Sequence, residues 1–229
     1  MLGVIGGMGP QATWLFLQGV TDRTGADCDQ QHIPMIILNH TTMPDRTAAI
    51  LSGNESMIRN LLLKDARLLE QNGCRAIAIP CNTSHYFVDG IQAEISIPII
   101  HMVRETVNRV AKNKAGIKKL AILATDGTNR TGIYHEECRR WGLEAYTPSP
   151  EKQLLMMKII YEEIKRGRQG SLSDFLQVEQ EIRNAGCEAA ILACTELSCF
   201  ARQHPLPNYY IDAMDVLIDR TIQFFGKDK

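Results

Sequence analysis

Two stretches of this 229-residue chain are near copies of one another: Gly73-Cys74-Arg75-Ala76-Ile77-Ala78-Ile79-Pro80-Cys81-Asn82-Thr83-Ser84-His85 and Gly186-Cys187-Glu188-Ala189-Ala190-Ile191-Leu192-Ala193-Cys194-Thr195-Glu196-Leu197-Ser198. An offset of 113 residues carries Gly73, Cys74, Ala76, Cys81 and Phe87 onto Gly186, Cys187, Ala189, Cys194 and Phe200. In each copy a Gly-Cys pair opens an apolar run, the run ends at a second cysteine, and small polar residues follow. A short apolar run bounded by turn signals reads as a buried strand, which puts each second cysteine at a strand's C-terminal end. One cysteine there is ordinary. Two at matching places in matching units point to a two-fold site with a thiol on each side.

The rest of the chain supports the duplication. Leu2–Ile5, the loop Gly6-Gly7-Met8-Gly9-Pro10 and the helical pattern of Gln11–Val20 read as strand, glycine loop, helix. Met35–Leu38 is a second buried strand, Asn39–Thr47 a polar loop, and Ser56–Asn72 an amphipathic helix that Gly73 stops. Ala76–Ile79 and Ile97–Ile100 complete a first set of strands, and a helix follows at Val103–Lys112. The pattern then restarts. Lys118–Gly127 mirrors the N-terminus, with Gly127 and Thr131 each 118 residues after Gly9 and Thr13. Leu143–Tyr146 is an expected edge strand, Gln153–Arg166 and Leu172–Ala185 are helices, Ala189–Leu192 and Tyr209–Ile211 are strands, and Ala213–Phe225 is a closing helix. Strands alternating with helices call for right-handed βαβ units. The expected fold is α/β: two pseudo-symmetric Rossmann-like domains with parallel sheets and an active site in the cleft between them. The boundary falls near residues 100–115, giving domains of 1–100 and 101–207. The final segment, about 208–229, is expected to pack back on the first. Ligands of open α/β sheets bind beyond the carboxyl ends of the strands, where Cys81 and Cys194 both lie.

Composition narrows the function. With 45% hydrophobic and 22% charged residues, the chain can build a proper core. A net charge of −1 and no basic run argue against nucleic acid or an anionic membrane as partner. No apolar run approaches the ~20 residues that span a bilayer. Met1 leads straight into a strand with no signal-peptide pattern. The seven cysteines lack CxxC or metal-ligand spacing, which points to reduced thiols in the cytoplasm and to no metal.

A cysteine at a strand end and a helix N-terminus meets the helix dipole and unpaired N–H groups. Such a site is expected to lower a thiol's pKa and make it an effective base. Two thiols on opposite sides of a carbon can remove a proton from one face and return one to the other, inverting the centre. The competing explanation is packing, since free cysteine is among the most buried residue types. Duplicated placement and the polar residues after each thiol favour chemistry for Cys81 and Cys194. Cys74 and Cys187 precede their strands, at the wrong end for it.

Gly6-Gly7-Met8-Gly9-Pro10, Pro44-Asp45-Arg46-Thr47, Pro80-Cys81-Asn82-Thr83-Ser84-His85 and Cys194-Thr195-Glu196-Leu197 together resemble the aspartate/glutamate racemase superfamily, nearest its aspartate racemase branch. The resemblance covers essentially the whole chain in the family's order. It implies racemisation without any cofactor, Cys81 and Cys194 as the acid/base pair, and a homodimer. It also implies that Arg46 and Lys165 bind the substrate's side-chain carboxylate, one as a bidentate fork and the other as a point charge. The expected partner is thus a small acidic amino acid, aspartate or glutamate. Asn82, Thr83 and Thr195 suit the α-carboxylate or a developing enediolate. Ser84 completes the first motif, and Met8 and Gln11 border the glycine loop as further candidates.

Each candidate has a plainer explanation. Arg46 suits a solvated loop, and Lys165 sits among charges on an expected solvated helix face. Glu196 orients Cys194, meets a substrate ammonium, or caps its helix. His85 tunes Cys81 or is a polar core residue, while His101 and Asp212 read as structural. Gly7–Ala12 also fits a dinucleotide fingerprint, but no acid ends the second strand to hold a ribose. Two alternatives remain open: a related racemase or isomerase of the hydantoin racemase type, and a non-catalytic binder of acidic amino acids.

Overall fold

A computed structural model describes residues 1–113 and 116–226. The expected junction near 100–115 and the expected end at 229 therefore run partly outside the described residues, at 114–115 and 227–229. Among the described residues lie two parallel sheets of four strands each. The first contains β1 (Leu2–Gly6), β2 (Met35–Asn39), β3 (Ala76–Ala78) and β4 (Ile99–Ile100) in the order β2-β1-β3-β4. The second contains β5 (Lys119–Leu123), β6 (Glu144–Tyr146), β7 (Ala189–Leu192) and β8 (Tyr210–Asp212) in the order β6-β5-β7-β8. The registers repeat as well: Leu2 pairs with Met35 and Ala76, and Leu120 pairs with Ala145 and Ala189.

The central strands are apolar apart from Lys119 at the start of β5, because both of their faces are covered, as parallel sheets require. Leu2, Val4, Ala78, Leu120, Ile122 and Ile191 point into one cluster shared by both halves. Ile5, Ile77 and Ile79 point into a second cluster under Arg46–Ser52 and Glu55–Gln71, and Leu123, Ala190 and Leu192 into a third under Pro150–Met157 and Leu172–Asn184. The two cysteines follow the outward-facing rows of β3 and β7, Cys81 in the second cluster and Cys194 in the third.

Each sheet's last helix crosses the seam. Met102–Asn113 leaves β4 and packs against Ile133–Arg140 and β8, while Ala213–Gly226 leaves β8 and packs against Pro10–Arg23 and β4. The closing helix starts at Ala213 as the sequence pattern predicts, and residues 210–212 before it are a strand of the second sheet, so the final segment from about 208 is not helix throughout.

Two local expectations need correction. The polar loop expected to run to Thr47 ends sooner, because Asp45 accepts the Ala48 N–H at 2.8 Å and starts a helix at Arg46. The helix expected over Gln153–Arg166 is three pieces: an α-helix at Pro150–Met157, a π-helix at Lys158–Glu163 and a 3-10 turn at Ile164–Arg166. Met156, Ile159, Ile160 and Ile164 are all buried, and that apolar pattern does not distinguish an i→i+4 ladder from an i→i+5 one.

Two glycines set how closely loops approach the cleft. Gly7 has φ +85°, and a Cβ there would lie 2.5 Å from the backbone of His40. At Gly127 a Cβ would lie 2.7 Å from Cα of Thr47, across the seam between the halves. Gly127→Ala is therefore expected to destabilise the fold by about 1–3 kcal/mol, the usual range for overpacking. Gly132→Ala meets open space and carries only the strain of φ +67°, on the order of 1 kcal/mol. Urea denaturation of both variants checks the order; equal losses would mean that the seam can shift apart.

Candidate active site

Cys81 and Cys194 line one small chamber between the halves. They are only 5% and 6% exposed. Cys81 follows β3 through Ile79 and Pro80, and the chain then turns into a 3-10 helix at Thr83–Phe87. Cys194 follows β7 and is the N-cap residue of Thr195–Gln203. The chamber holds about 10 Å³, at most about one water. Beside it is a vestibule of about 420 Å³ lined in part by Gly9, Gln11, Thr41 and Gly167. Met8, Asp45, Arg46, Lys165 and Glu196 line both, so these side chains form the partition between them.

Charge is distributed unevenly around the two thiols. On the first side stands Arg46, 9% exposed, which donates through Nη1 to the Pro44 carbonyl at 2.9 Å and through Nη2 to the Met8 carbonyl at 3.3 Å. Burial pulls the guanidinium's pKa down, but the neighbouring Cys81, Asp45 and Glu196 outweigh it and hold it above its ordinary value. On the second side the Cys194 thiol donates to Glu196 Oε2 at 2.9 Å. Burial first, and then the Glu196 carboxylate, push Cys194 well above the ordinary thiol range. This corrects the expectation of a lowered pKa there: the field of a helix start is outweighed by desolvation and an adjacent carboxylate.

Asp45 ties the partition together. Its carboxylate accepts from Tyr161 Oη at 3.2 and 3.1 Å and from Lys165 Nζ at 3.3 Å. Lys165 also lies over the Tyr161 ring, 3.7 Å from its centroid. Burial lowers the Lys165 ammonium, while Glu196, Tyr161, Asp45 and Cys194 raise it further, for a net rise. Between the halves, four threonine hydroxyls meet: Thr83 and Thr128 at 2.8 Å, Thr47 and Thr125 at 3.1 Å, and Thr125 with Thr83 at 3.3 Å and with Thr128 at 3.2 Å. Among the described residues of the chamber wall, two buried donors have no hydrogen-bond partner: Arg46 Nε and Asn82 Nδ2. Both residues line the chamber, which is therefore equipped to receive an anion beside Cys81.

Residues 5–221 match the sequence family described as Asp/Glu/Hydantoin racemase. The chain belongs to this family of racemases. It is 28% identical over 202 residues to the broad specificity amino-acid racemase RacX of Bacillus subtilis (strain 168), covering 86% of each chain. Its fold is similar to that of the Picrophilus torridus aspartate racemase, with TM-score 0.78 and 27% identity over 98% of this chain and 94% of that one. An aspartate racemase homologue from Pyrococcus horikoshii OT3 shares the fold with TM-score 0.77 at 23% identity, covering 98% of each chain. The α/β architecture with two parallel sheets is the one seen in these racemase structures.

Among the residues singled out in the sequence, Met8, Arg46, Asn82, Thr83, Lys165, Thr195 and Glu196 line the chamber with the two cysteines. Gln11 lines the vestibule only. Ser84 is wholly buried and donates to Met8 Sδ at 3.3 Å, away from the chamber's lining. Lys165 is an exposed residue, as its charged surroundings suggest, but its ammonium reaches Asp45 and the Tyr161 ring at the partition. Asp45, Thr47, Thr125 and Tyr161 line the chamber too, although none of them was among the candidates named from the sequence. Thr47 and Asp45 sit in the Pro-Asp-Arg-Thr motif and Thr125 in the mirrored loop, so motif and repeat were the available signals; Tyr161 had none. Cys74 and Cys187 lie at the far ends of their strands, raised by burial, Cys187 to about 11. Among the described residues, no group of three or more His, Cys, Asp or Glu could hold a metal ion, and no helix is long and apolar enough to cross a membrane.

His85 backs the Cys81 side. Its Nδ1 meets the Cys81 carbonyl at 2.8 Å, and its ring lies 5.0 Å from that of His101. Burial pushes His85 down from 6.5 to about 4, against the opposing effect of that hydrogen bond. His101 falls to about 2, chiefly through burial and then through His85. A depressed folded-state pKa contributes stability above pH 6.5 that is lost as the pH falls towards 4, because the unfolded chain takes up protons the folded one refuses. The His85 share is about 3 kcal/mol at most. His85→Gln is expected to flatten the stability profile across that window, leaving the His101 share, as measured by denaturant midpoints from pH 7 to pH 4. A profile as steep as wild type's would show that His85 protonates freely in the folded protein.

Proposed function

We propose that the protein interconverts L- and D-aspartate, with glutamate as the next substrate, by a two-base mechanism needing no cofactor. The observation that carries this is the pair of cysteines, one from each half, in a single chamber with unpartnered Arg46 and Asn82 donors. Cys81, facing the Arg46 guanidinium, takes the role of resting thiolate, and Cys194, donating to Glu196, that of resting thiol. Cys81 removes the α-proton, and the electron pair moves into the α-carboxylate as an enediolate. Asn82, Thr83 and Thr195 are positioned to stabilise that charge. Cys194 then delivers its proton to the opposite face, leaving a thiol at Cys81 and a thiolate at Cys194. The reverse reaction exchanges the roles. Arg46 and Lys165 bind the side-chain carboxylate, which displaces Asp45 from Lys165 as the partition opens.

A second substrate reading has its own support. Asp45 and Glu196 already offset the two cations of the partition, and the similar RacX is a broad specificity amino-acid racemase. Under it, neutral side chains occupy the vestibule while Asp45 stays on Lys165. We further read the chain as units of about 1–100 and 101–207 with the terminal segment returned to the first, as a cytoplasmic protein with free thiols, and as a homodimer.

Incubation in D₂O with L-aspartate, D-aspartate, L-glutamate and a panel of neutral amino acids, followed by NMR and chiral chromatography, decides among these. Exchange and inversion of aspartate are expected; none with any amino acid would sink the racemase reading and leave the non-catalytic binder. Cys81→Ala and Cys194→Ala are each expected to lower racemisation by about 10²–10⁴-fold, the span of general acid–base catalysis, while still binding substrate. Lys165→Met is expected to raise KM for aspartate about tenfold or more, with much less effect on a neutral amino acid. Equal effects on both would favour the broad-specificity reading.

A further inference from the structure

The two halves are chemically unequal at one matched position. The offset of 118 residues that carries Thr13 onto Thr131 also carries Phe16 onto Tyr134. Both rings are wholly buried in the cluster shared by the halves. Only Tyr134 has a hydroxyl, and it reaches the opposite half: Oη donates to Asn82 Oδ1 at 2.5 Å. Asn82 directly follows Cys81 and lines the chamber. Its counterpart by the other offset is Thr195, beside Cys194.

An asparagine amide has an acceptor end and a donor end of nearly equal shape, so its neighbours decide which one faces a ligand. Here the phenol hydrogen takes the oxygen. The nitrogen is left buried and without a partner in a residue that walls the chamber. A reversed amide would present an oxygen to an incoming carboxylate and would leave the buried Tyr134 hydroxyl with Thr106 as its remaining side-chain partner. Burial also keeps the phenol a donor, since its pKa is raised well above the ordinary value by desolvation first.

We infer that Tyr134 is a positioning residue for the racemisation: it locks Asn82 with Nδ2 toward the chamber, ready to donate to the substrate's α-carboxylate. This rests on the racemase reading above and adds a residue that never touches substrate. It also makes the Cys81 side of the site different from the Cys194 side, because Phe16 has no hydroxyl with which to orient a neighbour.

The test compares wild type, Tyr134→Phe, Asn82→Ser and the double variant, with circular dichroism melting as the folding control. In folded Tyr134→Phe, KM for aspartate is expected to rise about tenfold or more, with kcat falling less, as for a lost hydrogen bond to a charged group. A purely structural role would lower kcat through the active fraction and leave KM alone. In the Asn82→Ser background the same substitution is expected to leave KM unchanged. An unchanged KM in the single variant, or the same fold-change in both backgrounds, would overturn the inference. The Asn82 side-chain amide pair, identified in ¹⁵N spectra by its loss in Asn82→Ser, gives a readout independent of turnover. It is expected to shift in Tyr134→Phe and, in wild type, on adding aspartate. Unchanged shifts in folded Tyr134→Phe overturn the inference even if wild type turns over no amino acid, an outcome that would separately sink the racemase reading. Should Tyr134→Phe not fold, the wild-type titration decides, and an amide pair indifferent to aspartate would overturn the inference.

Discussion

Arg46 is a permanent charge buried at the seam between two parallel sheets, and much of the site follows from the need to satisfy it. A buried guanidinium is tolerated only with hydrogen bonds and counter-charge around it. The carbonyls of Pro44 and Met8 supply the first, which fixes the glycine loop against the start of the Arg46–Ser52 helix. Asp45 and Glu196 supply the second. Asp45 in turn caps that helix and reaches across to Tyr161 and Lys165, so one chain of charge compensation runs from the first half to the second. The partition between chamber and vestibule is built from these same side chains. A group that opens the chamber must therefore offer Lys165 and Arg46 something in place of Asp45.

Around that seam the backbone is nearly symmetric while the chemistry is not. Cys81 faces a cation and Cys194 a carboxylate. The His85–His101 pair behind the first cysteine corresponds in the second half to Ser198 and Asp212, joined by a hydrogen bond of 2.7 Å. Asp212 accepts the Met214 N–H as well, at 2.8 Å, which anchors the start of the closing helix. A duplicated fold thus provides two equivalent places for a thiol, and unequal neighbours set them in different fields, a guanidinium near Cys81 and a carboxylate on Cys194. The two-base inversion proposed above draws on that difference, because two thiolates or two thiols in one chamber could not pass a proton from face to face.

Legibility in the sequence varied with the kind of signal. The strand–helix alternation, both offsets and the position of each cysteine after its strand were readable because they are local patterns along the chain. The π-helix at Lys158–Glu163 was not, since the same apolar spacing serves an α-helix and a π-helix. The helix start at Arg46 was available from Asp45 as a capping residue but was obscured by the polar run before it. Arg46 and Lys165 were recognisable through motif resemblance, whereas their own neighbourhoods read as solvated. Tyr161 and Tyr134 carry no local mark at all; each matters because of a residue in the other half.

The sequence by itself determined the α/β class, the duplication and the presence of two thiols at strand ends. These rest on periodicity and repetition, which survive in one dimension. Only the tertiary structure decided which charges meet. The Cys194 thiol is held up by burial and by Glu196 rather than lowered by its helix, Lys165 reaches Asp45 in the other half, and Asn82 takes its orientation from Tyr134. Protonation and hydrogen-bond direction depend on distances between groups and on their removal from water. Those quantities exist only once residues such as Asn82 and Tyr134, far apart in the chain, are folded against one another.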